Sequence, residues 1–113
     1  MNVSVVARHM DVTEAMRSYA EEKVGKLPRL FNGLQSVTIT FDLEAGHNLV
    51  EIVAAGKHRS TFVARQQGED MYACVDQCMH KMEQQLRRHK DRVRDRQGPP
   101  HDQTMVPEPP SGQ

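Results

Sequence analysis

The 113-residue sequence has no run of about 18 apolar residues and no basic segment leading into an apolar one, so neither a membrane span nor export by a signal peptide is expected. A cytoplasmic protein is the expectation. The chain also lacks net charge, with 15 basic and 15 acidic residues, and has only two cysteines. Cys74 and Cys78 lie four apart in a helical stretch, where a disulfide would need distortion and a tetrahedral metal site would need further ligands. They read as small buried thiols flanking an apolar stripe. There is no Ser/His/Asp arrangement, Gly-rich phosphate loop or metal-ligand cluster. His9, His47 and His58 fall at predicted strand ends or turns, with no carboxylate partner obvious from spacing. Neither catalysis, a cofactor, a metal nor a small-molecule substrate is expected. With 37% hydrophobic residues, the chain supports one domain with one modest core.

The zero net charge hides a segregation. Residues 1–80 carry eight basic and ten acidic residues, a net of −2; residues 81–96 carry seven Lys/Arg against three acids, a net of +4; residues 97–113 hold only Asp102 and Glu108. The positive block is Lys81, Arg87, Arg88, Lys90, Arg92, Arg94 and Arg96. Such a concentration points to a polyanionic partner, although a solvated charged face is the ordinary structural alternative.

Hydrophobic periodicity gives the elements. Asn2 to Ala7 is a β-rich run with Val3 and Val5 on one face. A helix start follows, with Asp11 and Glu14 as a capping box or Thr13 as the cap. Met16, Tyr19 or Ala20, Val24 and Leu27 supply that helix's buried side, and Pro28 and Gly33 end it. Val37, Ile39, Phe41 and Leu43 alternate with Thr38, Thr40 and Asp42, as in a half-buried strand. Ala45 to Asn48 reads as a turn, Leu49 to Ala55 as a strand, Gly56 to His58 as a second turn and Arg59 to Arg65 as a further strand. Asp70 then caps a long helix on which Tyr72, Val75, Met79, Met82 and Leu86 form one stripe.

The order is β-α-β-β-β-α, an α+β fold with a four-stranded, mostly antiparallel sheet whose first strand returns through a right-handed crossover to lie beside the second. Two antiparallel helices are expected side by side on one face. Lys23, Lys26 and Arg29 then lie near the end of the first helix. On the second, Lys81, Arg88 and Arg92 share one flank and Arg87, Lys90 and Arg94 the other, with Lys90 close to the seam. Residues 1–96 are the expected domain; residues 97–113, with five prolines, are the expected disordered tail.

Two long segments, VTEAMRSYAEEKVGKLPRLF at 12–31 and GEDMYACVDQCMHKMEQQLRRHKD at 68–91, resemble the short form of the ribosome hibernation promoting factor and ribosome-associated inhibitor family, some members of which are described as modulators of a sigma factor. The likeness covers roughly residues 1–95. It implies a fold related in shape to double-stranded RNA-binding domains. It further implies binding to the small ribosomal subunit and the intact ribosome, in the channel of messenger RNA and of the aminoacyl and peptidyl transfer RNAs, and inhibition of translation under stress. The ribosomal RNA contacts it implies are Lys23, Lys26, Arg29, Lys81, Arg87, Arg88, His89, Lys90, Arg92 and Arg94, with Arg8, Lys57 and Arg59 as weaker candidates. Short forms include one kind that assists ribosome pairing and one, with a C-terminal extension, that opposes it; the sequence leaves that choice open. A general RNA-binding module and a sigma-factor-interacting regulator are the alternative readings.

Overall fold

The computed structural model describes residues 1–31 and 33–97, with side chains through residue 90 apart from His58; of the expected tail only Gln97, the last residue of the second helix, is described, and the rest lies outside the described residues. The elements are β1 (Asn2–Arg8), α1 (Glu14–Val24), a 3-10 turn (Leu27–Arg29), β2 (Leu34–Glu44), β3 (His47–Gly56), a second 3-10 turn (Lys57–Arg59), β4 (Thr61–Gly68) and α2 (Met71–Gln97). The sheet order is β1-β2-β3-β4, with β1 parallel to β2 and the other two pairs antiparallel. This is the expected β-α-β-β-β-α architecture.

Local chemistry explains the boundaries. Thr13 is the cap of α1, its hydroxyl oxygen accepting the Met16 amide at 3.1 Å, which settles the choice against Asp11. Asp70 caps α2, accepting the amides of Tyr72 at 3.0 Å and Ala73 at 3.5 Å. The β2–β3 turn is only Ala45-Gly46, tighter than the expected four residues. Both lie at positive φ, 53° and 80°, as a two-residue turn matched to strand twist requires. The first helix stops sooner than expected: Gly25 is its C-cap, and the chain tightens into the 3-10 turn around Pro28. Lys26 and Arg29 therefore sit in the connection after α1, not on the helix.

The core lies between one sheet face and the two helices. Val37, Ile39 and Phe41 of β2 face Ala54, Ile52 and Val50 of β3, and Phe62 and Ala64 of β4 extend the layer. Met71, Cys74, Val75, Cys78, Met79, Met82 and Leu86 cover it from α2. The stripe differs from expectation at its first turn, where Met71 enters the core and Tyr72 stays 40% exposed. Both cysteines are buried and unbonded to each other, and Cys78 Sγ points at the carbonyl oxygens of Ala64 (3.2 Å) and Val50 (3.6 Å). Burial pushes the Cys78 thiol up to about 12 and raises that of Cys74 as well.

One expectation is corrected: the helices run parallel. β1, β2 and β4 all point the same way, and each helix follows one of them and must return along it. The contacts across the seam confirm the sense. Tyr19 packs edge-on to Tyr72 with ring centroids 5.0 Å apart, and Lys23 lies 3.6 Å from Asp76, so both helices ascend together. Both helix N-termini consequently lie at one end of the sheet and both C-terminal ends at the other.

Candidate nucleic-acid interface

Parallel helices bring the cations together. The β3–β4 turn, the 3-10 turn after α1 and the end of α2 all reach the same edge of the fold, where Leu34 pairs with Gly56 and the Lys57 amide donates to Gly33 O at 3.1 Å. Lys26, Arg29, Lys57, Arg59, Arg87, Arg88 and Lys90 are exposed there, and no ion pair among the described residues engages them. Arg92 and Arg94 ride the last turns of α2, with their side chains outside the described residues. The opposite end collects acids: Asp11 and Glu14 at the start of α1, Asp42 and Glu44 at the end of β2, and Glu69 and Asp70 before α2. A neutral chain thus folds into a molecule with a basic pole and an acidic pole.

The basic pole has an aromatic base. His89 stands edge-on to Phe31 and to Phe62, each pair with ring centroids 5.2 Å apart, and Phe31 meets Phe62 at 5.8 Å. His89, half-buried, therefore occupies the seam position expected for Lys90, which is exposed. Gly56 is needed beneath this cluster, since a Cβ there would lie 3.1 Å from both Phe31 Cε2 and Gly33 O. The packed rings fix the direction in which α2 leaves the sheet. Beyond His89 it continues to Gln97, about 12 Å further at the rise of an α-helix.

The remaining candidates are held elsewhere or are already partnered. Arg8 ends β1 opposite Asp42, at the acidic pole and far from the others. Lys81 lies midway along α2 with its Nζ donating to the Arg65 carbonyl at 2.8 Å; Gln85, one turn on, donates to the Val63 carbonyl at 2.6 Å. These two side chains cap the outer edge of β4. Arg88 continues that flank by helical spacing, whereas Arg87 and Lys90 continue the flank of Glu83 that faces α1. Lys23 is tied into the helix seam: its ammonium sits 5.1 Å over the Tyr19 ring and beside Asp76, whose negative charge raises the lysine's pKa. Tyr19 OH donates to Asp76 Oδ1 at 2.6 Å, and that hydrogen bond is the main cause of a raised tyrosine pKa. A shallow groove lined by Lys23, Lys26, Asp76, Met79, His80 and Glu83 continues the seam towards the basic pole.

Sequence reasoning missed two histidine–carboxylate pairs at the acidic pole. His9 Nδ1 lies 2.8 Å from Asp42 Oδ1 and His47 Nδ1 lies 2.7 Å from Glu69 Oε2. The hydrogen bond from His9 is the first cause holding the Asp42 carboxyl below its usual range. Sequence separations of 33 and 22 residues hide both pairs. Only the β1–β2 register, which sets Arg8 beside Asp42, could have exposed the first.

The topology and the charge distribution define a β-α-β-β-β-α binding module with a cationic end. The family model described as Sigma 54 modulation protein / S30EA ribosomal protein matches residues 3–94, and the chain belongs to that family. It is 36% identical over 99 residues to a ribosome hibernation promoting factor from Azotobacter vinelandii, a match covering 86% of this chain and 90% of that one. A ribosome hibernation promotion factor from Lactococcus lactis is 32% identical over 93 residues, and there the match spans only 50% of the longer relative. In structure, the chain is similar to a ribosomal subunit interface protein from Coxiella burnetii, with a TM-score of 0.74 and 26% identity over 80% of this chain and 99% of that one.

Proposed function

We propose that this protein is a ribosome hibernation factor that works by binding, not catalysis. It occupies the small ribosomal subunit in the channel of messenger RNA and transfer RNA and holds translation inactive under stress. The observation that carries the reading is the convergence of three separate segments on one basic pole. Lys26 and Arg29, Lys57 and Arg59, and Arg87, Arg88 and Lys90 present cations in several directions at once, as a cleft walled by phosphates requires, and none needs to read a base. Arg92 and Arg94 extend the same pole on a helix that projects into such a cleft. Lys23 and His89 serve beside them by holding the helix seam and the aromatic base, and Arg8 lies outside the site. Residues 1–96 form the binding unit in this reading. The names of the relatives, hibernation factors and a subunit interface protein, support a ribosomal partner and with it a cytoplasmic location; no helix among the described residues is long and apolar enough to cross a membrane.

The test is sedimentation of the protein with small subunits, large subunits and intact ribosomes across a salt series. Co-migration with small subunits and intact ribosomes, weakening as salt rises, is expected. Equal affinity for naked duplex RNA would instead favour a general RNA-binding module, and capture of RNA polymerase without ribosomes would favour a sigma-factor-interacting regulator.

A further inference from the structure

The two edges of the sheet are treated differently. On β4 the carbonyls of Val63 and Arg65 point outward and are taken by Gln85 and Lys81 of α2, which closes that edge to another strand. On β1 no described side chain does the same. From Asn2 to Ala7 the strand carries no charge, no proline and no bulge, the usual devices that blunt an edge. Its apolar residues stay in view instead: Met1 is 48% exposed, Val3 36% and Val6 39%, and Val5, Met10, Val12 and Met16 are only partly buried behind them.

We propose that β1 is an interface for a second copy of this chain, which adds its own β1 in antiparallel sense to make a continuous eight-stranded sheet. The strand is self-complementary in charge. In a two-fold pairing centred on Val5, Val3 meets Ala7 of the second copy, Ser4 meets Val6, and Arg8 meets Asn2, so no like charges oppose. Val3 and Val5 lie on the helix side of the strand, near the partly buried Met10, Val12 and Met16 of the following connection and α1, and this side closes against its symmetry mate. Because the strands run in opposite senses and each basic pole lies at the start of its β1, the dimer carries its two basic poles at opposite ends. The pairing leaves both cationic surfaces uncovered.

Sedimentation equilibrium over a wide concentration range, combined with amide hydrogen exchange of the intact chain, tests this. A weak dimer is expected, with exchange in Val3–Ala7 slowing as concentration rises while β4 is unchanged. Val3→Lys with Val6→Lys, which puts a lysine on each face of the strand at already exposed positions, raises the dissociation constant at least about tenfold. Val63→Lys, at a position 45% exposed on the capped edge, leaves it unchanged. Protein that stays monomeric up to about 1 mM overturns the proposal. So does a β1 protected equally at every dilution, since a segment of the same chain then covers the edge. A dimer that survives the double lysine variant, in protein with an unchanged circular dichroism spectrum, places the contact elsewhere.

Discussion

Neutralising Arg87 and Arg88 separates a phosphate-binding pole from a merely solvated one. Seven exposed cations gather at that pole, and a cleft of ribosomal RNA that neutralises about five of them gives a plot of log affinity against log salt with a slope of about −4. Doubling the salt then weakens binding about 16-fold. Arg87→Gln with Arg88→Gln removes two contacts from opposite flanks of α2, lowering the slope to about −2.5. At about 0.15 M salt the variant binds about 20-fold more weakly, or about 2 kcal/mol, and the two lines converge near 1 M. Both arginines are exposed, so the thermal midpoint should hold. Arg8→Gln, at the acidic pole, is the matched control and should change neither slope nor affinity. The assay is fluorescence anisotropy of labelled protein titrated with purified small subunits at several salt concentrations. An unchanged slope in the double variant, or an equal loss in Arg8→Gln, refutes the placement of the site at this pole.

Other consequences concern the fold. Because the hydrogen bond from His9 depresses the Asp42 pKa in the folded state, its stabilisation is complete above the unfolded value of 3.8 and is lost as pH falls below it. His9→Ala should therefore flatten the acid limb of the stability profile, as followed by urea midpoints between pH 2 and pH 6. The buried thiols of Cys74 and Cys78 should resist a disulfide reagent at pH 8 in the native protein and react fully in denaturant; rapid native labelling would contradict their burial. Ala45→Asn should raise stability by about 0.5 kcal/mol, since asparagine tolerates the left-handed backbone that alanine occupies at φ 53°, and chemical denaturation measures it.

Periodicity carried the sheet well, because β2, β3 and β4 bury one face, and strict alternation has only one register that does so. It also located the cysteines, whose small volume fits a helix lying close on a sheet. It failed where a choice depended on partners distant in sequence. Met71 and Tyr72 both suit the first turn of α2, and only the presence of Tyr19 on the neighbouring helix decides that the tyrosine turns to the seam. Gly25 and Pro28 signalled the end of α1, yet not that Lys26 and Arg29 would turn with the chain. The sense of the helices was recoverable from the strand order alone: a parallel β1–β2 pair followed by two hairpins sends both helices the same way. That step matters most for the candidate site, since antiparallel helices would have placed Lys23, Lys26 and Arg29 at the opposite end from Arg87 to Arg94. His89 could not be placed, because its partners Phe31 and Phe62 come from a loop and from the far strand.

The overhang of α2 has a thermodynamic meaning of its own. A free peptide of eight residues rich in arginine would not hold a helix in water, because the first turn costs more than one hydrogen bond returns. Here the turns from Met71 to His89 are already wound against the sheet and serve as the nucleus, so each residue from Lys90 onward adds by propagation alone. A polyanion binding at this overhang would meet a backbone already in order, with little chain entropy left to lose on contact.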